Sequence, residues 1–302
     1  MRRGLGGAAA LLVAAGALTG CGAGATDRPL VVVTTDVLGD VVGELVGEQA
    51  EVVTLMPRGA DPHSFEVSAQ DAARLRSADL VVSNGLGLEE GLATQVDAAR
   101  ADGVPVVEAG AAIEPLQWVS EDASGVDPHF WTDPARMATV TGVLADALAE
   151  HVDGLDADVL AADVADYQGQ LAELDAWMAD QLAQVPADRR DLVTNHHVFG
   201  YLADRFGFTV VGAVVPSGTT LAAPSASDLA ELATSVREAG VRTIFVDSSQ
   251  PDRLAQVLAE QAAVDVAVTP LFTESLSGPG EGAETYLAMM RSNTEDIVAG
   301  LR

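Results

Sequence analysis

The sequence predicts an α/β protein of two lobes, each a mainly parallel β-sheet flanked by helices, joined by one long rigid helix. Three observations carry this expectation. Short β-branched runs alternate with stretches of helical apolar spacing over residues 30–107, and the same alternation returns over 192–301. Between the two series, residues 155–182 keep a helical rhythm of Leu, Val, Tyr and Met with no Gly-Pro break. Finally, 302 residues of which 48% are hydrophobic leave room for about two domains of ~100–200 residues. Aromatics are only 4%, so Val, Leu and Ala must do most of the packing.

The elements follow in order. Residues 30–35, Leu-Val-Val-Val-Thr-Thr, read as a strand buried on both faces. Residues 37–46 have helical spacing, and 51–56 form a second strand before a loop with Pro57, Gly59 and Pro62. Ser68 is placed to cap a helix over 68–77. A strand at 79–83, a helix at 89–100 and a strand at 104–107 complete the first series. Residues 111–127 lapse into loop. Asp133 then caps a helix that Pro134 opens and that runs to about residue 150. The long helix of 155–182 spans ~40 Å at 1.5 Å per residue, enough to bridge two lobes. The second series places strands at 192–194, 209–215, 243–246 and 266–269, with helices at 199–206, 225–239, 251–263 and 281–301.

These elements divide the chain into a first lobe over 30–152, a linking helix over 153–186 and a second lobe over 187–302. Residues 1–20 stand apart. Arg2 and Arg3 precede a small-residue, apolar run too short for a membrane span of ~20 residues. The run ends in Leu18-Thr19-Gly20-Cys21, which resembles the lipobox of bacterial lipoproteins, and Cys21 is the only cysteine. The resemblance implies that 1–20 is a lipoprotein signal peptide and that Cys21 is acylated. Residues 21–29 then form a lipid-anchored tether. With Cys21 modified no thiol remains, so disulfides and cysteine metal sites are excluded.

The net charge is −29, and all 16 basic residues are Arg. Such a chain is repelled by phosphate backbones, so nucleic acid is not a partner. The charge alone does not make this a metal protein.

Three of the five histidines stand at equivalent places. His63 lies in Asp61-Pro62-His63-Ser64-Phe65-Glu66, after a strand. His129 lies in Asp127-Pro128-His129-Phe130-Trp131, before a helix. His196 lies in Thr194-Asn195-His196-His197, at a strand's carboxyl end. Ligands of open α/β sheets gather at such ends. Three imidazoles meeting there, closed by one carboxylate, make a site suited to zinc and its neighbours. His151, at a helix end, is expected to face solvent.

Residues 55–92 resemble the zinc/manganese solute-binding proteins of ABC importers, the cluster A-I metal-binding family, on Asp61-Pro62-His63-Ser64-Phe65-Glu66 and Asn84-Gly85-Leu86-Gly87-Leu88-Glu89. Asp127-Pro128-His129-Phe130-Trp131-Thr132-Asp133-Pro134 resembles the family's second motif, and Val193-Thr194-Asn195-His196-His197-Val198-Phe199-Gly200 its third. Leu271-Phe272-Thr273-Glu274-Ser275-Leu276 resembles the last. The resemblance implies metal ligation by His63, His129, His196 and Glu274, with His197 at a non-ligand position. Glu274 stands where Asp is common. Asp247 is the reserve carboxylate, and Asp247→Ala is expected to spare binding.

The resemblance implies no enzyme. It implies an extracytoplasmic component that captures Zn²⁺ between the lobes and delivers it to the membrane permease of an ABC importer. The protein would be held on the outer face of the membrane through Cys21, as a monomer whose long helix limits lobe motion. Three imidazoles with one carboxylate favour Zn²⁺; Mn²⁺ is the alternative, since harder Mn²⁺ prefers a second carboxylate. A zinc hydrolase is the remaining reading. Against it, the chain has no His-Glu-x-x-His motif, nucleophile elbow or phosphate-cradling loop. An adhesin role, described for some relatives, is compatible with either metal. Residues 117–126 carry Glu121 and Asp122 but no His, which argues against a histidine-rich relay loop.

Overall fold

The structure is a computed structural model; it describes residues 28–119, 124–262 and 266–302. The segment expected to be a signal peptide, Cys21 and most of the expected tether lie outside the described residues. Among those described, no helix is long and apolar enough to cross a membrane.

The first sheet is built from β1 (Leu30–Val33), β2 (Glu51–Thr54), β3 (Leu80–Ser83) and β4 (Val106–Glu108), all parallel, in the order β2-β1-β3-β4. The second holds β7 (Asp191–Thr194), β8 (Thr209–Ala213), β9 (Thr243–Asp247) and β10 (Ala267–Leu271), also parallel. Its order, β8-β7-β9-β10, repeats that of the first sheet. In each, the chain switches sides between the first and third strands.

Alternation along the strands sorts side chains onto two faces. Val31, Val33, Leu80 and Val82 join one large apolar cluster, while Val32 and Val81 join an outer one with Leu55, Leu75 and Ala99. In the second sheet Leu192 and Phe245 face the large cluster, and Val193, Ile244 and Val246 face an outer one with Val236 and Leu258. The large cluster therefore runs unbroken from one sheet to the other.

The long helix α5 (Ala157–Leu182) makes that continuity. Leu160, Tyr167, Leu171, Leu174, Met178 and Leu182 are buried at intervals of three, four and seven, forming one stripe. α5 packs on α1 (Asp36–Val46), on α4 (Pro134–His151) and on α9 (Tyr286–Leu301). Near its end, Trp177 sits under the Arg291 guanidinium of α9 at 4.8 Å, and Asp175 pairs with Arg205 at 2.6 Å. The caps are those read from the sequence: Ser68 opens α2 (Ala69–Ser77) with a reciprocal Asp71 bond, and Asp133 caps α4 with Pro134 in its first turn.

Three differences from the expected elements have physical causes. The stretch read as loop holds an antiparallel hairpin, β5 (Gln117–Val119) with β6 (Ser124–Val126). Its strands are three residues long, too short for periodicity to register. α3 (Ala93–Ala101) starts later than residue 89 because the Glu89 carboxylate is occupied. It accepts from the Thr34 hydroxyl and from the backbone N–H groups of Asn84 and Gly85. α9 starts at Tyr286, where Thr285 caps it, rather than at residue 281, since Gly280 and Gly282 hold left-handed φ values of 86° and 92°.

Candidate metal centre

Four loops converge, three of them from strands of the two parallel sheets. His63 follows β2, His196 follows β7 and Glu274 follows β10; His129 lies between the hairpin and α4. One donor atom from each can be chosen so that all lie within 4.8 Å of one another. His129 Nε2 is 3.3 Å from His63 Nε2 and 3.4 Å from His196 Nε2. Glu274 Oε1 is 3.3 Å from His129 Nε2 and 2.8 Å from His196 Nε2, and Oε2 is 4.0 Å from His63 Nε2. Each of the four residues is at most 1% exposed. Neither Glu274 oxygen has an aligned hydrogen-bond donor. A carboxylate buried with only these imidazoles beside it is costly to keep charged, and a cation placed among these atoms offsets that cost.

The two Asp-Pro-His segments fold alike. Asp61 Oδ1 accepts from the His63 N–H at 3.0 Å, and Asp127 Oδ1 accepts from the His129 N–H at 3.0 Å. These are Asx-type turns with a φ-locked Pro at the centre. Asp127 does more: its Oδ1 also takes His129 Nδ1 at 2.7 Å. That bond directs Nε2 at the other donors and fixes the tautomer. Gly200 leaves the space for it, since a Cβ there would stand 2.3 Å from Asp127 Oδ2. Asp127 escaped the sequence reading, although its signal was present: an Asp two residues before each of two candidate ligands. Asp127→Ala is expected to weaken metal binding by ~10–100-fold while His129 remains. Titration against a competing chelator checks this, and unchanged affinity would remove Asp127 from the site.

The charges are interlocked. Burial alone lowers the basicity of His129, but the Glu274 and Asp127 carboxylates outweigh it and push its pKa up to about 10. Burial brings His63 down to about 4, against the pull of Glu274. Burial opposes the Glu274 charge, yet His129 and His196 hold its carboxyl well below the usual range. Without metal, the site thus keeps a proton on His129 facing a charged Glu274.

A family model described as "ZnuA: Zinc-uptake complex component A periplasmic" matches residues 31–300. The chain belongs to this family. Over 297 residues it is 30% identical to the manganese-binding lipoprotein MntA of Halalkalibacterium halodurans, covering 96% of each chain. It is 31% identical over 283 residues to the zinc-binding protein TroA of Treponema pallidum, covering 92% of this chain and 91% of that one. The solved structure of TroA superposes with a TM-score of 0.83 over 91% of this chain and 99% of its own. A Mn-bound periplasmic metal-binding protein of candidatus Liberibacter asiaticus, 25% identical, gives 0.81 over 91% of this chain and 100% of that one.

Family membership leaves the choice between Glu274 and Asp247 to geometry. Asp247 is at the end of β9 and its carboxylate is fully used. Oδ2 accepts from the N–H groups of Thr273 and Glu274 at 3.1 and 3.0 Å and from the Thr273 hydroxyl. Oδ1 accepts from the Ser249 N–H at 2.8 Å and from its hydroxyl. Asp247 therefore props the loop that presents Glu274, and sparing of binding by Asp247→Ala is no longer the expected result.

His197 is turned away from the donors. Its ring stacks on Trp118 of the hairpin, centroids 5.6 Å apart and planes 17° from parallel. Gly218 lets the indole approach, as a Cβ there would lie 2.2 Å from Trp118 Nε1. Tyr201 ties the hairpin's base, donating to the Asp127 carbonyl at 2.7 Å and accepting from the Leu116 N–H at 3.1 Å. His151 is the last residue of α4, half-buried and outside the cluster.

Proposed function

We propose that this protein is the extracytoplasmic solute-binding component of an ABC importer, and that it captures one Zn²⁺ with His63, His129, His196 and Glu274. It then delivers the ion to a membrane permease, held at the outer face of the cell membrane by an acylated Cys21. The donor spacing carries this reading. A regular tetrahedron with metal–nitrogen bonds of ~2.0–2.1 Å has edges of ~3.3–3.4 Å. Three of the donor separations match, at 3.3, 3.3 and 3.4 Å, while the Glu274 oxygens stand 2.8 Å from His196 Nε2 and 4.0 Å from His63 Nε2, off a regular tetrahedron. Four protein donors leave no position for a reactive water, which a zinc hydrolase requires. Mn²⁺ is the second reading, favoured by the similarity to MntA. Three imidazoles and the divalent affinity order favour zinc.

Dialysis of the chain against equimolar Zn²⁺ and Mn²⁺, followed by elemental analysis, tests the choice. One zinc and little manganese per chain is expected; preferential manganese retention would reverse it. The charge state adds a pH test. His129 must lose its proton to bind metal, so below its pKa of about 10 binding releases a proton and weakens as pH falls. From pH 9 to pH 6 the affinity is expected to drop by about tenfold per unit. Calorimetry in buffers of different ionisation enthalpy reads the released proton directly. A flat pH profile with no proton release would contradict the site's charge pattern.

A further inference from the structure

The four donors are sealed, so an ion reaches them only where a wall opens. One wall borders a cavity of about 320 Å³ at the carboxyl end of the second sheet. His196 itself lines it, with Thr220, Ala223, Gln250 and Leu254. The space is ample for several waters. A second hollow, beside Glu274 between Thr35, Asn84 and Trp131, has no room for one.

At the cavity's edge stands a carboxylate from the other sheet's loop. Asp61 Oδ2 accepts from the Thr220 hydroxyl at 2.6 Å and from the Gln250 side-chain amide at 3.0 Å. The same carboxylate holds the His63 N–H and, at 3.0 Å, the Ser64 hydroxyl. Thr220 lies between β8 and α7 (Ala226–Ala239), and Gln250 between β9 and α8 (Arg253–Ala262). One side chain therefore joins the loop of a ligand to two separate segments of the cavity wall. Leu221, Ala222 and Ala223, next to Thr220, are exposed.

We infer that the ion enters and leaves through this cavity, and that Asp61, clasping Thr220 and Gln250, is the latch that keeps it closed. The inference rests on the four-donor reading above and adds the route to it. Hydrogen bonds to a charged acceptor are strong, and they must break before the wall can part. Neither Thr220 nor Gln250 belongs to the donor set, so loosening the latch changes rates of exchange and leaves the stoichiometry alone.

The test uses the intact chain loaded with zinc. Release to excess EDTA and uptake from solution are followed by stopped flow for the wild type, for Thr220→Val with Gln250→Ala, and for Ala223→Trp. The double variant is expected to release and take up zinc about tenfold faster. Ala223→Trp, which fills the cavity from an exposed position, is expected to slow both by a similar factor. All three chains should hold one zinc at equilibrium. Bound zinc with either rate effect missing overturns the route alone. A wild-type chain that holds no zinc overturns the four-donor site, and the route with it.

Discussion

His129→Ala is expected to cost more zinc affinity than any other single replacement in this protein. Zinc bound by four protein donors is held by ~10–16 kcal/mol, so one donor accounts for ~2.5–4 kcal/mol, or ~10²–10³-fold in Kd. His129 stands at the upper end for two reasons. Its Nε2 is within 3.4 Å of both other imidazole nitrogens and of Glu274 Oε1, so it is the hub of the set. Its removal also takes a partner from the Asp127 carboxylate, which is 1% exposed. His63→Ala and His196→Ala should follow closely. His197→Ala is the control: its ring faces Trp118, and affinity should stay within about twofold of wild type. Competition with a chromophoric chelator measures all four. A His129→Ala chain that still binds one zinc at wild-type affinity would dismantle the site.

Asp247→Ala is expected to be the most damaging change for stability at the site. The carboxylate takes three backbone N–H groups, those of Ser249, Thr273 and Glu274, and two hydroxyls. Each buried donor left without an acceptor costs ~1–3 kcal/mol. One effect opposes this. Burial, and then the charge of Glu274, push the Asp247 carboxyl above its usual range, so deleting it relieves some unfavourable charge. Five donors outweigh that relief, and a net loss of ~3–5 kcal/mol is expected against a total of ~5–15. The urea midpoint should fall with an unchanged slope. Zinc affinity should fall as well, because the freed loop no longer presents Glu274. Asp247→Asn keeps one acceptor oxygen and should recover part of both losses. An unchanged midpoint in Asp247→Ala would mean the loop is held by other contacts. These include the Trp131 indole on the Thr273 carbonyl at 2.9 Å and the Asp36 carboxylate on the Leu276 N–H at 2.9 Å.

Much of the fold was legible because its causes are local. Val31 to Val33 can satisfy a strand and little else, and Ser68 and Asp133 carry their capping chemistry in neighbouring residues. The long helix showed itself through apolar intervals sustained over seven turns. The hairpin did not, because its stability comes from Trp118 packing against His197 and Gly218, about 80 and 100 residues away in the chain.

The sequence by itself determined the two series of strands and helices, the strand-end histidines, and the short list of carboxylates that could complete a nitrogen-rich site. Only the tertiary structure supplied the reasons why His196 and not His197 faces the donors, as the motif resemblance implies, and why Asp247, the reserve beside Glu274, has no open oxygens. Both depend on what a side chain meets after distant loops pack together. Trp118 covers one ring, and three backbone N–H groups occupy one carboxylate. No local pattern encodes those meetings.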